Sequence, residues 1–283
     1  MSITAYFQRI GRAASPRRQA EKIAPPVLGP AVRFPYGAFQ FKARIPRGTA
    51  FEIHASSDLR SWRVIVEDTS PDETIEYVDS EASKFSHRFY RVTVGSVTST
   101  NIIGYATTLL PPGFSMIANP FNAASNAVCE LFKELPNGTR LNKFDARFFQ
   151  LTENAFVGGK WSRPSETLGP GEGAILFNPT SDYKNLSFVG DVIQGQVSIP
   201  VPAGFSVRSS PFPRGGSVHA DLGFPISDGD VVHLFDRDQQ KYVLYPYDAQ
   251  RWAANPPLVG VAESFWIAKS SPDNWTVEIP IAS

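Results

Sequence analysis

The feature that most constrains this chain is a phrase written twice. GFSMIANPF at residues 113–121 returns as GFSVRSSPF at 204–212, 91 positions later. Set at that constant offset, residues 111–190 and 202–281 share 14 identities in 80 positions without a gap. Ordinary residue usage would give about 5. The coincidences fall on rare or conformationally special residues: Gly113 and Gly204, Phe144 and Phe235, Asp145 and Asp236, Trp161 and Trp252, Glu172 and Glu263. Between them, apolar positions stay in phase, as in NLSFV (185–189) against TVEIP (276–280). Two copies are too few for an open solenoid, which needs several stacked units to bury its faces. The expectation is a β-rich domain over 107–283, made of two pseudo-symmetric repeats that share one core. The runs AILF (174–177) and SFWIA (264–268) are placed near the shared interface.

The strand assignment rests on texture. Apolar runs are short and rich in Val, Ile, Phe and Tyr, and 24 prolines and 21 glycines break them. Such punctuation describes many short strands joined by turns. Over 34–106, six strands are expected: 39–45, 50–56, 62–68, 74–80, 87–94 and 97–105. Their spacing, and alternation such as Arg63, Val64, Ile65, Val66, suit a β-sandwich. The fold class is therefore all-β throughout.

Within this region FEIHASSDLRSWRVIVED and YVDSEASKFSHRFYRV resemble the short fibronectin-type-III-like module repeated in secreted and cell-surface proteins of Verrucomicrobia and related bacteria. Ile53, Ala55, Ser56, Asp58, Leu59 and Trp62 match its first half; Asp79, Ala82, Phe85, Arg88, Phe89, Tyr90 and Arg91 match its second. The duplicated part resembles a β-domain of unknown function from similar proteins. These resemblances imply an extracellular or cell-surface, non-catalytic spacer or adhesion role, and they supply no site. Trp62 and Phe89 are expected in the module's core, and Asp58 is expected to open a turn by accepting backbone N–H groups.

Residues 1–33 differ from the rest. Six Arg and Lys side chains oppose Glu21 alone, for a net +5, and Pro25, Pro26 and Pro30 favour an extended path. This is a basic, proline-rich arm, either a free tail or one docked on a neighbour, and ITAYFQRIGRAA within it has the pattern of a short amphipathic helix. The start carries basic residues but no continuous apolar stretch, so no signal peptide is expected. Lys+Arg and Asp+Glu balance at 27 each, so no global field draws the chain to nucleic acid or anionic lipid. No apolar run is long enough to span a bilayer as a helix.

Chemistry is sparse. Cys129 is alone and reads as an inert thiol. His54, His87, His219 and His233 are scattered, and a metal set of His219, Asp221 and His233 matches no ligand spacing. No nucleophile elbow, phosphate loop or dinucleotide fingerprint occurs. No cofactor, metal or catalytic residue is expected. Asp145, Asp236, Glu172 and Glu263 offer carboxylates for glycoside hydrolysis, a remote alternative. The simpler reading makes them turn residues. One feature suggests a ligand: Tyr245, Tyr247 and Trp252 cluster in KYVLYPYDAQRW, and such residues stack on sugars or pair across a hairpin. The favoured function is a non-enzymatic structural protein, a subunit of a surface layer or filament, self-associating through its β-domains and arm. Its partner is then a homo-oligomer or polymer. The alternative is a polysaccharide-binding or adhesion module.

Overall fold

The computed structural model describes residues 23–279. Its elements are almost all antiparallel strands; the helical pieces are a 3-10 turn at Ser80–Lys84 and a single α-turn at Val128–Leu131. The chain is all-β, as the short apolar runs and frequent turn residues imply.

The N-terminal part is a β-sandwich. One sheet has the order Val27–Arg33, Phe39–Arg44, Thr74–Asp79. The other runs Arg63–Thr69, Ala50–Ser56, His87–Val94, Ile103–Leu110, Lys184–Asp191. Phe39, Phe41, Tyr90 and Tyr105 fill the space between them, each fully buried. Tyr90 donates to Asp79 at 2.7 Å, and Arg88 forms an ion pair with the same carboxylate at 2.9 Å, so the buried charge of Asp79 is compensated.

Four details depart from the sequence expectations. Val27–Arg33, counted above with the basic arm, is a paired strand of the first sheet. The run 97–105 is not one strand: Ser99 and Asn101 leave the ladder, and the Asn101 amide bonds Leu28 and Asp191 instead. The strand that follows, Ile103–Leu110, runs straight through the boundary drawn at 106, so one strand belongs to both the sandwich and the region after it. Finally, Phe89 and Trp62 do not lie between the two sheets. They pack on the opposite face, against the core that follows, with Phe89 beside Phe121 and Trp62 half-buried under the Arg91 guanidinium. Side chains alternate along a strand, so Tyr90 and Val92 take the inner face and Phe89 and Arg91 the outer.

Beyond the sandwich stand two five-stranded sheets. The first has the order Lys160–Trp161, Gln150–Val157, Arg140–Asp145, Ala174–Asn178, Gly113–Ile117. The second has Arg251–Trp252, Lys241–Asp248, Val231–Asp236, Ser264–Lys269, Gly204–Ser209. Their registers coincide at the sequence offset. Arg140 pairs Ala155 and Phe177, and Val231 pairs Pro246 and Ala268. Phe156 pairs Trp161, and Tyr247 pairs Trp252. Each sheet's first strand begins at a glycine with left-handed backbone, Gly113 at φ +88° and Gly204 at φ +82°, which explains why the opening phrase keeps that residue.

The sheets face each other through matching residues. Met116, Ile175 and Val207 are buried between them, flanked by Phe144, Phe235 and Trp266; Met116 and Val207 are counterparts, as are Ile175 and Trp266, and Phe144 and Phe235. Ala118 N–H donates to Ala262 O at 2.9 Å, while Ser209 N–H donates to Gly171 O at 3.2 Å, the same bond made in both directions. Phe149 packs on Phe205 at 5.9 Å, and its counterpart Gln240 makes two hydrogen bonds to the backbone of Phe114. Both loop residues adopt positive φ, 49° and 51°.

Candidate assembly surface

The residues singled out by repetition are occupied with architecture. Glu172 and Glu263 each accept the N–H of the glycine three positions earlier, Gly169 and Gly260, both at 2.8 Å. Each also meets a cation: Lys143 at 3.1 Å from Glu172, Arg237 at 2.7 Å from Glu263. Asp145 accepts from Arg147 N–H, and Asp236 from Asp238 and Gln239 N–H, so each carboxylate closes the hairpin turn after its strand. Asp58 does the same in the sandwich, accepting from Arg60 and Ser61.

The aromatics diverge between copies. Trp161 is buried and its indole N–H donates to Phe132 O. Beside the second sheet that role passes to Trp275 of Asp273–Ile279, fully buried and donating to Leu222 O, while Trp252 stays half-buried. Tyr245, Tyr247 and Trp252 stand on the side of their sheet that meets a core of Phe224, Phe265 and Trp275. Tyr247 and Trp252 pack edge to face at 5.0 Å, a cross-strand pair. Tyr242, one position out of phase, lies on the opposite face and accepts from the Trp266 indole.

The histidines do not converge. His54 bonds Thr93 and Glu52, His87 bonds Ser57 O, His219 bonds Phe224 O, and His233 packs edge to face on Phe205. Among the described residues no three His, Cys, Asp or Glu side chains come together as a metal set, and no helix is long and apolar enough to cross a membrane. Cys129 is a half-buried free thiol on the helical turn. The basic segment before Ile23 lies outside the described residues.

What the structure does expose is sheet edge. In the sandwich, Arg63–Thr69 is an outermost strand, with Val64 43% exposed. In the C-terminal part, Gly195–Val201 and Asp273–Ile279 form a two-stranded ribbon to which no third strand is added among the described residues. Sequence reading missed the first of these strands because it lies before the aligned repeat. The missed signal is alternation in GQVSIPV, with Val197, Ile199 and Val201 on one side. Unpaired backbone N–H and C=O groups along such edges are templates for another strand.

Comparison with protein-family models, with curated proteins and with solved structures found no match.

Proposed function

We propose that this chain is a non-enzymatic structural protein of the cell surface or extracellular space, which associates with copies of itself through sheet edges and its basic arm to form a surface layer or filament. The observation that carries the reading is the edge of the ribbon Gly195–Val201/Asp273–Ile279, over which no further strand lies among the described residues. An uncovered edge on an otherwise layered β-protein is a place for strand addition. The hydrogen bonds of Glu172, Glu263, Asp145 and Asp236 support the non-enzymatic part, since each is engaged by backbone of its own turn.

The architecture is read with it. The identical order and register of the two five-stranded sheets support a tandem copying event followed by packing of the copies face to face. The sandwich's strand order, with the first, second and fifth strands in one sheet, supports the fibronectin-III-like reading. Surface localisation rests on that resemblance.

Sedimentation of the full chain across a wide concentration range, with electron micrographs of the same samples, tests the function. Concentration-dependent assembly is expected. A monomer at every concentration, with no ordered assemblies on grids, overturns it.

A second reading, polysaccharide binding, is favoured by Tyr247 and Trp252 remaining half-buried where the first copy seals its tryptophan. Titration against a polysaccharide panel, repeated with Trp252→Ala, decides it. A response abolished by the substitution supports this reading, and no response to any polysaccharide eliminates it.

A further inference from the structure

The offset of 91 extends further back than the aligned repeat. Gly104–Leu110 falls on Gly195–Val201. Both segments are strands, and both pair with the strand that closes their own copy: Ile103–Leu110 with Lys184–Asp191, and Gly195–Val201 with Asp273–Ile279. Each ladder carries a hydroxyl pair, Thr107 with Ser187 at 2.7 Å and Ser198 with Thr276 at 3.0 Å. The top of each edge is capped by a guanidinium. Arg237 donates to Leu109 O at 3.2 Å, and Arg208 donates to the counterpart Pro200 O at 3.2 Å.

The other side of the two strands differs. In the first copy His87–Tyr90 pairs with Ile103–Ala106, and Thr107 N–H donates to Ser86 O at 2.6 Å. In the second copy the equivalent groups, on Gln196 and Ser198, face outward with no strand over them among the described residues. Pro200 stands where the covering ends and has no N–H to leave unpaired, as a proline on an edge strand must. The first copy thus shows what this surface is built to receive: one extended segment of four or five residues.

We infer that the edge Gly195–Ser198 accepts, as an added strand, a stretch of four or five residues within Ile3–Ile10 from the N-terminal arm of a second copy of this chain, with the two copies exchanging arms. This deepens the self-association reading and rests on it. Charge selects the arm. The ribbon carries Asp273 and Glu278 and no Lys or Arg of its own, Arg208 reaching it only at Pro200 O, whereas residues 1–22 carry Arg9, Arg12, Arg17, Arg18 and Lys22 against Glu21, a net +4 in side chains. The sandwich edge Arg63–Thr69 is the competing occupant, but with Arg63 against Glu67 and Asp68 it is net negative like the ribbon.

Pattern and length agree. The segment that carries a helical pattern also alternates, Ile3, Ala5 and Phe7 with Thr4, Tyr6 and Gln8, which lets it pair as a strand where an edge is offered, and no proline occurs before Pro16. Residues 11–22 then form a tether of up to about 40 Å at roughly 3.3 Å per residue. The tether is rooted beside the edge. Pro26 O accepts from Thr100 N–H at 2.9 Å, and Thr100 O accepts from the side chain of Gln194, the residue before Gly195. Donor and acceptor at one pole favour reciprocal exchange, which closes as a two-fold pair. The pair is then the smallest unit of assembly.

The test uses the full chain, Ser198→Pro, a deletion of residues 2–10, and a peptide of residues 1–12. Ser198→Pro removes the outward N–H and the hydroxyl contact to Thr276, and leaves the backbone hydrogen bonds of the ribbon's inner ladder in place. Sedimentation is expected to show a dimer for the full chain and monomers for both variants, with melting temperatures within a few degrees of the parent. The peptide should bind the deletion variant, and Ser198→Pro placed in that variant should weaken it at least tenfold. Assembly that survives both changes overturns the inference and leaves self-association standing by other contacts. A full chain that is monomeric while the peptide still binds means the arm closes its own edge. That result overturns the exchange and the self-association reading together. Absence of peptide binding to a folded deletion variant overturns the arm as occupant.

Discussion

Gly173 stands opposite Ser264, its own counterpart 91 residues later: a Cβ placed on Gly173 would lie 2.5 Å from the Ser264 Cβ and 2.5 Å from Val207 Cγ1. A residue that meets its own equivalent marks the axis relating two copies, and closeness at that point is why one of the pair is glycine. The backbone of Gly173 is not in the left-handed region, so space and not conformation selects it. Gly173→Val should force the sheets apart and cost about 1–3 kcal/mol, read as a lower urea midpoint. Ser264→Gly, on the roomy side of the same contact, should cost less. Equal effects would deny the axis its tightness.

The second copy contains a buried ion pair that the first lacks. Lys269 Nζ lies 2.5 Å from Asp230 Oδ2 with both side chains fully buried, and Asp230 also accepts from Ser227 and Ser270. Asp230→Ala should destabilise by about 3–5 kcal/mol, because it leaves an ammonium buried without a counter-charge. The counterparts in the first copy are Thr139 and Asn178. The double change Asp230→Thr with Lys269→Asn should recover most of the loss in a denaturation experiment. No recovery would mean that the two sites differ by more than the pair.

The paired carboxylates provide a third check. Glu172→Ala and Glu263→Ala each release a glycine N–H and a cation, and each should lower stability by roughly 1–2 kcal/mol. Glu172→Gln and Glu263→Gln keep an accepting oxygen and should lie much closer to the parent. Thermal unfolding of the four variants separates the cases. Gln as damaging as Ala would point to the charge itself.

Trp161 and Trp252 share a register but not an environment. Trp161→Ala removes a buried indole with a hydrogen bond to Phe132 O and should cost about 3–5 kcal/mol. Trp252→Ala should cost distinctly less, since Trp275 fills the equivalent core role. Chemical denaturation of both proteins measures the difference, and a larger loss at Trp252 would overturn the assignment.

Acid should destabilise the fold in two stages. Burial holds His87 and His233 below the usual imidazole range; burial and the nearby Arg91 do the same for His54 against the pull of Glu52. The unfolded chain therefore takes up these protons first, and stability falls as pH drops through about 6.5. Lower down, carboxylates act. Burial raises Asp58, but the Ser61 and Arg60 N–H groups and the Ser56 hydroxyl outweigh it and hold it at about 2. Burial likewise raises Asp230, yet Lys269, Ser270 and Ser227 keep it low. Their contribution is present above about pH 4 and diminishes below it, that of Asp58 as pH approaches 2. Melting temperatures at successive pH values should decline from 7 to 5 and again below 4. A rise on acidification would contradict both assignments.

Taken alone, the sequence determined the all-β character, the limits of five strands between residues 39 and 94 to within a residue, the turn roles of Asp58, Asp145 and Glu172, and an offset at which two regions can be aligned. These are local properties: side-chain alternation, glycine at positive φ and short carboxylates beside free N–H groups act within a few residues. Tertiary structure decided what covers each face. Phe89 and Tyr90 are neighbours of similar character, and nothing local says which looks into the sandwich and which toward the next sheet. Nor does pattern reveal that Ile103–Leu110 serves two cores while its counterpart Gly195–Val201 has no strand over one edge among the described residues, because covering an edge takes backbone from a segment far away in the chain.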